Sequence, residues 1–312
     1  MSSTSTAAPS LRAAFEADDH CLSLRSGERA IDPTIEPMFE QLTDLCTLPG
    51  VAQRVIQIAN DPNSDTQDLL EVVETDPAVA ARLMQVVNSA YCGLRHPVGD
   101  LRSALTLLGA ERVRSLALTV SIGGEFGRPT PVGLLDPQRL WDHSVCVATI
   151  SRLIASRCDA CPPEEAYLAG LVHDMGLLFI NQQLNSLAPR VLAYVQSGMS
   201  LPNAERHVLA FDHAQVGAYV AWRCGFPREI VAAIDYHHAP AACPKDALSL
   251  VHVVIIANYL STRYGRGSID GRRLPAPSEG ILTPMGLDLL ALRELWEELP
   301  DTVANVHQLT AV

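Results

Sequence analysis

Five histidines and one aspartate carry the chemistry this chain could perform. His143, His173, His213, His237 and His238 are spread through the second half of the sequence, and Asp174 follows His173 directly. Imidazole nitrogens and a carboxylate suit a divalent transition metal, with Fe, Mn, Zn and Ni as candidates. The two oxygens of an aspartate can bridge two ions, and a pair of ions can polarise a phosphate and create hydroxide near neutral pH. Neighbouring residues on a helix point about 100° apart, so His173 and Asp174 would approach a metal from different sides. Taken singly, each histidine is expected to be a hydrogen-bonded core residue or a helix cap. His96 precedes a proline and is expected at the surface; His20, His207, His252 and His307 are expected to stand outside the cluster.

Bringing these side chains together from separate segments calls for helices packed around one core. Asp61-Pro62 ends one helix and Asp76-Pro77 starts another. Beyond Pro77, residues Ala80, Leu83, Met84 and Val87 share a face and belong in a core. Asp65 is placed to cap the helix carrying Leu69, Leu70, Val72 and Val73. Gly109 separates a helix over 101–108 from a second at about 111–122, and the glycines and prolines of 123–133 read as a connection between two helical units. Asp136-Pro137, Pro163 and Pro227 each open a helix. Asp212 and Gln215 have capping-box spacing. Leu248 to Tyr264 is apolar and helical, residues 266–282 read as loop, and Thr283-Pro284 restarts a helix through Leu290 and Trp296. No strand alternation and no internal repeat is found.

The predicted organisation is all-α. Residues 1–33 form a disordered or loosely attached segment, 34–128 an N-terminal helical subdomain, 129–265 the histidine-bearing subdomain, and 266–312 a loop with a C-terminal helical extension. The 312 residues are 48% hydrophobic but only 5% aromatic, so Leu, Val, Ile and Ala must fill the core. A net charge of −12 opposes a broad nucleic-acid surface. Arg112 and Arg114, the candidates for a local basic patch, read as a solvated helix face. Eight scattered cysteines and an N-terminus without an apolar run lead us to expect a cytoplasmic protein with reduced thiols. Cys158 and Cys161 form a lone C-x-x-C, expected to be incidental at a helix end. No apolar run reaches membrane-spanning length, since Leu248 to Leu260 is broken by His252 and Asn258.

The order of the candidate residues, with 30 residues from His143 to His173, 39 from Asp174 to His213 and 24 from His213 to His237, resembles the ligand series of the HD superfamily, particularly its HD-GYP branch. The surrounding words "LWDHS", "AYLAGLVHDMG", "FDHAQVGAYVAWRCGFP" and "IDYHH" resemble the HDOD family. So do "LPGVAQRVIQIANDP", "ETDPAVAARLMQVVNSAYCG" and "DLRSALTLLGAERVRSLAL" in the first half, and the resemblance covers roughly residues 40–262. It implies a multi-helix HD-superfamily-like bundle with an N-terminal helical subdomain, linked to bacterial signalling and gene regulation. It also implies metal ligation by His143, His173, Asp174, His213, His237 and His238.

Three departures from the pattern bear on activity. Asn258 stands where the superfamily has a final aspartate ligand, and Leu177 stands where active relatives carry a phosphate-neutralising lysine. Residues 239–244, after His237-His238, lack the GYP loop. With Asp174 as the single carboxylate, the set carries −1 against +4 for two divalent ions, so one ion is expected rather than two. The resemblance therefore implies a signalling protein with a degenerate metal pocket, acting through a signalling protein partner, with a nucleotide or small ligand as a second class of binder. The rival is a metal-dependent phosphohydrolase acting on a nucleotide or cyclic nucleotide.

Overall fold

Aspartates start many of the helices. In the computed structural model, which describes residues 48–126, 135–269 and 274–310, α1 (Gly50–Asn60) is followed by α2 (Thr66–Glu74) and α3 (Pro77–Val87). The Asp65 side chain accepts hydrogen bonds from the backbone of Gln67 and Asp68, and the Asp68 side chain accepts from the Asp65 amide. Asp76 caps α3 just before Pro77. Each such cap stabilises its helix by about 1 kcal/mol. Leu69, Leu70, Val72 and Val73 of α2 are buried. On α3 the buried stripe is Leu83, Val86 and Val87, with Ala80 and Met84 half-buried beside it. The expectation for residues 1–33 lies outside the described residues.

Gly109, at φ +84, turns the chain from α4 (Leu101–Leu108) into α5 (Ala110–Phe126). α5 is longer than expected and passes through Gly123 and Gly124. A Cβ on Gly123 would lie 2.8 Å from the Trp141 ring. This glycine lets a helix lean on an indole and does not end the helix. The rest of the expected connection, 127–133, lies outside the described residues.

α6 (Pro137–Cys158), capped by Asp136, is the post of the structure. It packs against α5, α7 (Pro163–Val172), α13 (Leu248–Arg263), α15 (Leu289–Val303) and α16 (His307–Thr310). Gly170 lets α7 come close, since a Cβ there would meet the Ala148 backbone at 2.9 Å and Ser151 Oγ at 2.7 Å. Between α7 and α13 run α8 (Met175–Gln183), α9 (Ala188–Gln196), α10 (Leu201–Leu209), α11 (His213–Arg223) and α12 (Arg228–Tyr236). The Asp212–Gln215 capping box opens α11 as expected.

The C-terminal extension differs from the expectation. Residues 266–282 include the short α14 (Glu279–Leu282), and Thr283-Pro284 makes a single 3-10 turn that stops at Gly286, φ +67. α15 starts instead after Asp288, whose side chain accepts from the Ala291 amide. Leu295, Leu299, Val303 and Leu309 are buried, so the extension joins an apolar core reaching back to Leu48. Among the described residues there is no strand, and no helix is long and apolar enough to cross a membrane. Cys158 ends α6, and it and Cys161 are free thiols.

Candidate metal centre

Helix ends converge on one point. His143 projects from α6, His173 ends α7, Asp174 links α7 to α8, His213 begins α11, and His237 and His238 follow α12. Asp174 stands in the N-cap position of α8, yet its side chain makes no capping bond; its oxygens are turned to the imidazoles instead. Oδ2 lies 3.6 Å from His143 Nε2 and 3.4 Å from His173 Nε2. Oδ1 lies 3.3 Å from His213 Nε2 and 3.4 Å from His237 Nε2. His238 Nε2 is 3.1 Å from His213 Nε2. Two overlapping groups thus share Asp174, one with His143 and His173, the other with His213, His237 and His238.

The opposite ring nitrogens are held in place. Nδ1 of His173 donates to the Gly170 carbonyl at 2.8 Å, Nδ1 of His237 to Ile234 at 2.7 Å, and Nδ1 of His143 to Arg266 at 2.5 Å. Nδ1 of His213 donates to the Glu205 carboxylate at 2.6 Å. A ring that donates from Nδ1 can present its Nε2 lone pair to a cation, the usual outer support of a metal-binding histidine. The buried Nε2 atoms of His173 and His237 make no hydrogen bond. Two ligand atoms at about 2.1 Å from one tetrahedral ion stand about 3.4 Å apart, which the Asp174-to-imidazole separations match. The donor set fits a divalent metal.

Burial opposes the negative charge of Asp174, but the surrounding histidines overcome it and hold the carboxyl well below its ordinary range. Burial likewise opposes a charged His213, yet Glu205 and Asp174 push that ring up to about 10. Burial pushes His237 down to about 4. Without metal, His213 is therefore an imidazolium between two carboxylates.

Glu205 was not among the expected residues. It is fully buried on α10 and also accepts the His213 amide at 3.0 Å. The signal for it is a glutamate on the helix face otherwise occupied by Leu201, Ala204 and Leu209. Ser261 is a second omission, donating at 2.9 Å to the Arg266 carbonyl that holds His143. Glu205 raises the buried carboxylates at the centre from one to two.

Asn258 is buried on α13, where its Oδ1 accepts from the Thr262 hydroxyl at 3.3 Å. Leu177 packs its side chain in the core while its amide donates to the Asp174 carbonyl at 2.9 Å. His207 is exposed against Tyr194, and His96 and His307 are exposed. His252 is buried with Nδ1 lacking a hydrogen bond, and it joins neither metal-competent group. His20 lies outside the described residues. Arg112 and Arg114 form no solvated face: both are half-buried, paired with Glu164 at 3.8 Å and Glu111 at 2.5 Å.

Residues 45–240 match the family described as HDOD domain. An HDOD domain protein with unknown function from Geobacter sulfurreducens has 26% identity and a TM-score of 0.75, with 88% of this chain and 99% of that one covered. A protein from Marinobacter aquaeolei VT8, named "Putative signal transduction protein", has 25% identity and a TM-score of 0.72, with 88% of this chain and 61% of that one covered. An uncharacterized protein of Treponema pallidum (strain Nichols) is 21% identical over 239 residues, 76% of this chain; the chain spans 45% of that relative's length.

Proposed function

This chain belongs to the HDOD domain family, and from that premise we propose that it is a signalling protein acting through a protein partner, its metal centre structural rather than a site of turnover. The enclosure of the centre carries this reading. His143, His173, Asp174 and His213 are fully buried, His237 is 4% exposed and His238 is half-buried. A catalytic metal site keeps an open position for substrate, whereas here five of the six candidate donors are buried and half-buried His238 marks the side open to solvent. Leu177, standing at the chain position where active relatives carry a phosphate-neutralising lysine, is an apolar residue buried in the core and offers no cation. A divalent ion bound here would supply positive charge among the imidazoles and tie α6, α7, α11 and α12 together.

One observation favours the rival, a metal-dependent phosphohydrolase acting on a nucleotide or cyclic nucleotide: each Asp174 oxygen faces its own pair of histidines, an arrangement suited to two ions. Protein loaded with Mn²⁺ or Fe²⁺ is expected to leave cyclic dinucleotides and nucleoside phosphates intact, while capture from a bacterial lysate returns a reproducible partner. Turnover that vanishes in Asp174→Asn, with no partner recovered, would overturn the proposal.

Metal uptake is expected to depend on pH. A metal at His213 Nε2 must displace the proton that a pKa of about 10 keeps there. Affinity should rise about tenfold per pH unit from 7 toward 10, with one proton released from this ring. Calorimetry in buffers of different ionisation heat reads that release, and buffer-independent heats would exclude it. In the metal-free protein the sign reverses. The stabilisation from charged His213 is full below its ordinary pKa of 6.5 and is lost as pH rises through about 10.

A further inference from the structure

A groove of 680 Å³ lies where the first helices meet the histidine-bearing ones. Its floor is apolar, formed by Ile56, Leu118, Leu168, Phe226 and Ile230. Its walls carry Glu111, Glu164, Glu165 and Glu229, with Arg114 as the one cation lining it among the described residues. Arg114 is already paired with Glu111 at 2.5 Å, and Glu164 is shared by Arg152 at 3.5 Å and Arg112 at 3.8 Å. Glu165 on α7 and Glu229 on α12 make no ion pair among the described residues. Burial, and then the charge of Glu229, raise the Glu165 carboxyl above its ordinary range. Both carboxylates line the one groove with no ion-paired cation of their own among the described residues.

We propose that this groove docks a basic amphipathic segment of a partner protein, its apolar side chains on the floor and an arginine or lysine between Glu165 and Glu229. Carboxylate walls over an apolar floor select that chemistry. They repel a phosphate-bearing ligand, and a second copy of this chain would bring its own net charge of −12. The inference rests on the reading of the chain as a partner-binding protein.

The test uses the full chain and a labelled helical peptide of about 14 residues built from Leu and Lys, with a Leu and Glu counterpart. The basic peptide is expected to bind saturably and the acidic one not at all. Glu165→Gln with Glu229→Gln should weaken binding about tenfold. Relief of repulsion and the lost favourable interaction with the N-termini of α7 and α12 oppose each other, so the melting temperature of that double variant should stay close to that of the wild type. Glu294→Gln with Glu297→Gln, on the exposed side of α15, should leave affinity unchanged. Hydrogen exchange should slow in α7 and α12 on saturation. Absence of saturable binding, equal weakening in the α15 pair, or protection confined to other helices would each overturn the groove as the docking site. Lysate capture separates this failure from that of the broader reading. A partner held equally by wild type and the groove variant sinks only the groove; no partner with wild type sinks the reading itself.

Discussion

Asp174→Asn is expected to strip the centre of metal and to destabilise the metal-free protein by about 3 kcal/mol, the usual cost of breaking a buried charge pair. Asp174 is the one carboxylate common to both metal-competent groups. Asparagine keeps the shape but removes the charge that faces four Nε2 atoms at 3.3–3.6 Å. Since the Asp174 pKa is depressed from 3.8, its stabilisation is fully present above that value and is lost as pH falls below it. At pH 7 the comparison therefore registers the whole contribution, and the gap between the two proteins should narrow near pH 3. Elemental analysis of gently purified protein reads the first effect. Thermal unfolding reads the second, as a fall of about 6 °C or more. A variant that keeps both its metal and its melting temperature would remove Asp174 from the central role.

Gly176→Ala is expected to cost about 4 kcal/mol or more, beyond the ordinary range for overpacking. A Cβ there would overlap the His213 carbonyl oxygen and lie 2.7 Å from the Gly217 amide nitrogen. Both obstacles are backbone, so no rotamer change relieves them, and α8 must move away from α11. Asp174 sits just before α8 and His213 starts α11, so the same displacement should separate them and lower metal affinity. Gly217→Ala serves as the comparison. Its Cβ would meet the Ile234 Cγ2 methyl at 2.9 Å and the Gly176 amide nitrogen at 3.1 Å, tight contacts but without the outright overlap at Gly176, and a smaller cost of about 1–3 kcal/mol is expected. Denaturant unfolding of both variants orders them. A Gly176→Ala protein as stable as wild type would mean that the helices can part without loss.

The groove bears on both readings of function. It lies apart from the buried imidazoles, and its lining comes from α1, α5, α7 and α12. α7 ends at His173 and α12 at His237, so a segment seated against these helices would rest on the elements that position two of the candidate ligands. Under the proposed reading, this adjacency would link a docked partner to metal occupancy through the same two helices.

The amino-acid sequence by itself determined where many helices begin and which residue types could meet a metal. Asp65, Asp76, Asp136 and Asp212 cap helices through hydrogen bonds that reach only two or three residues along the chain, so their meaning is local. Tertiary structure decided the rest. Gly123 looks like a helix end until Trp141 is seen against it. Asp174 stands where an N-cap would be, but four imidazoles claim its oxygens. Glu205 is a surface-type residue until His213 is beside it, and Arg112 and Arg114 look solvated until carboxylates pair with them. Caps depend on neighbours a few bonds away. Burial, charge pairing and close helix approach depend on segments tens to more than a hundred residues apart, which only folding brings into contact.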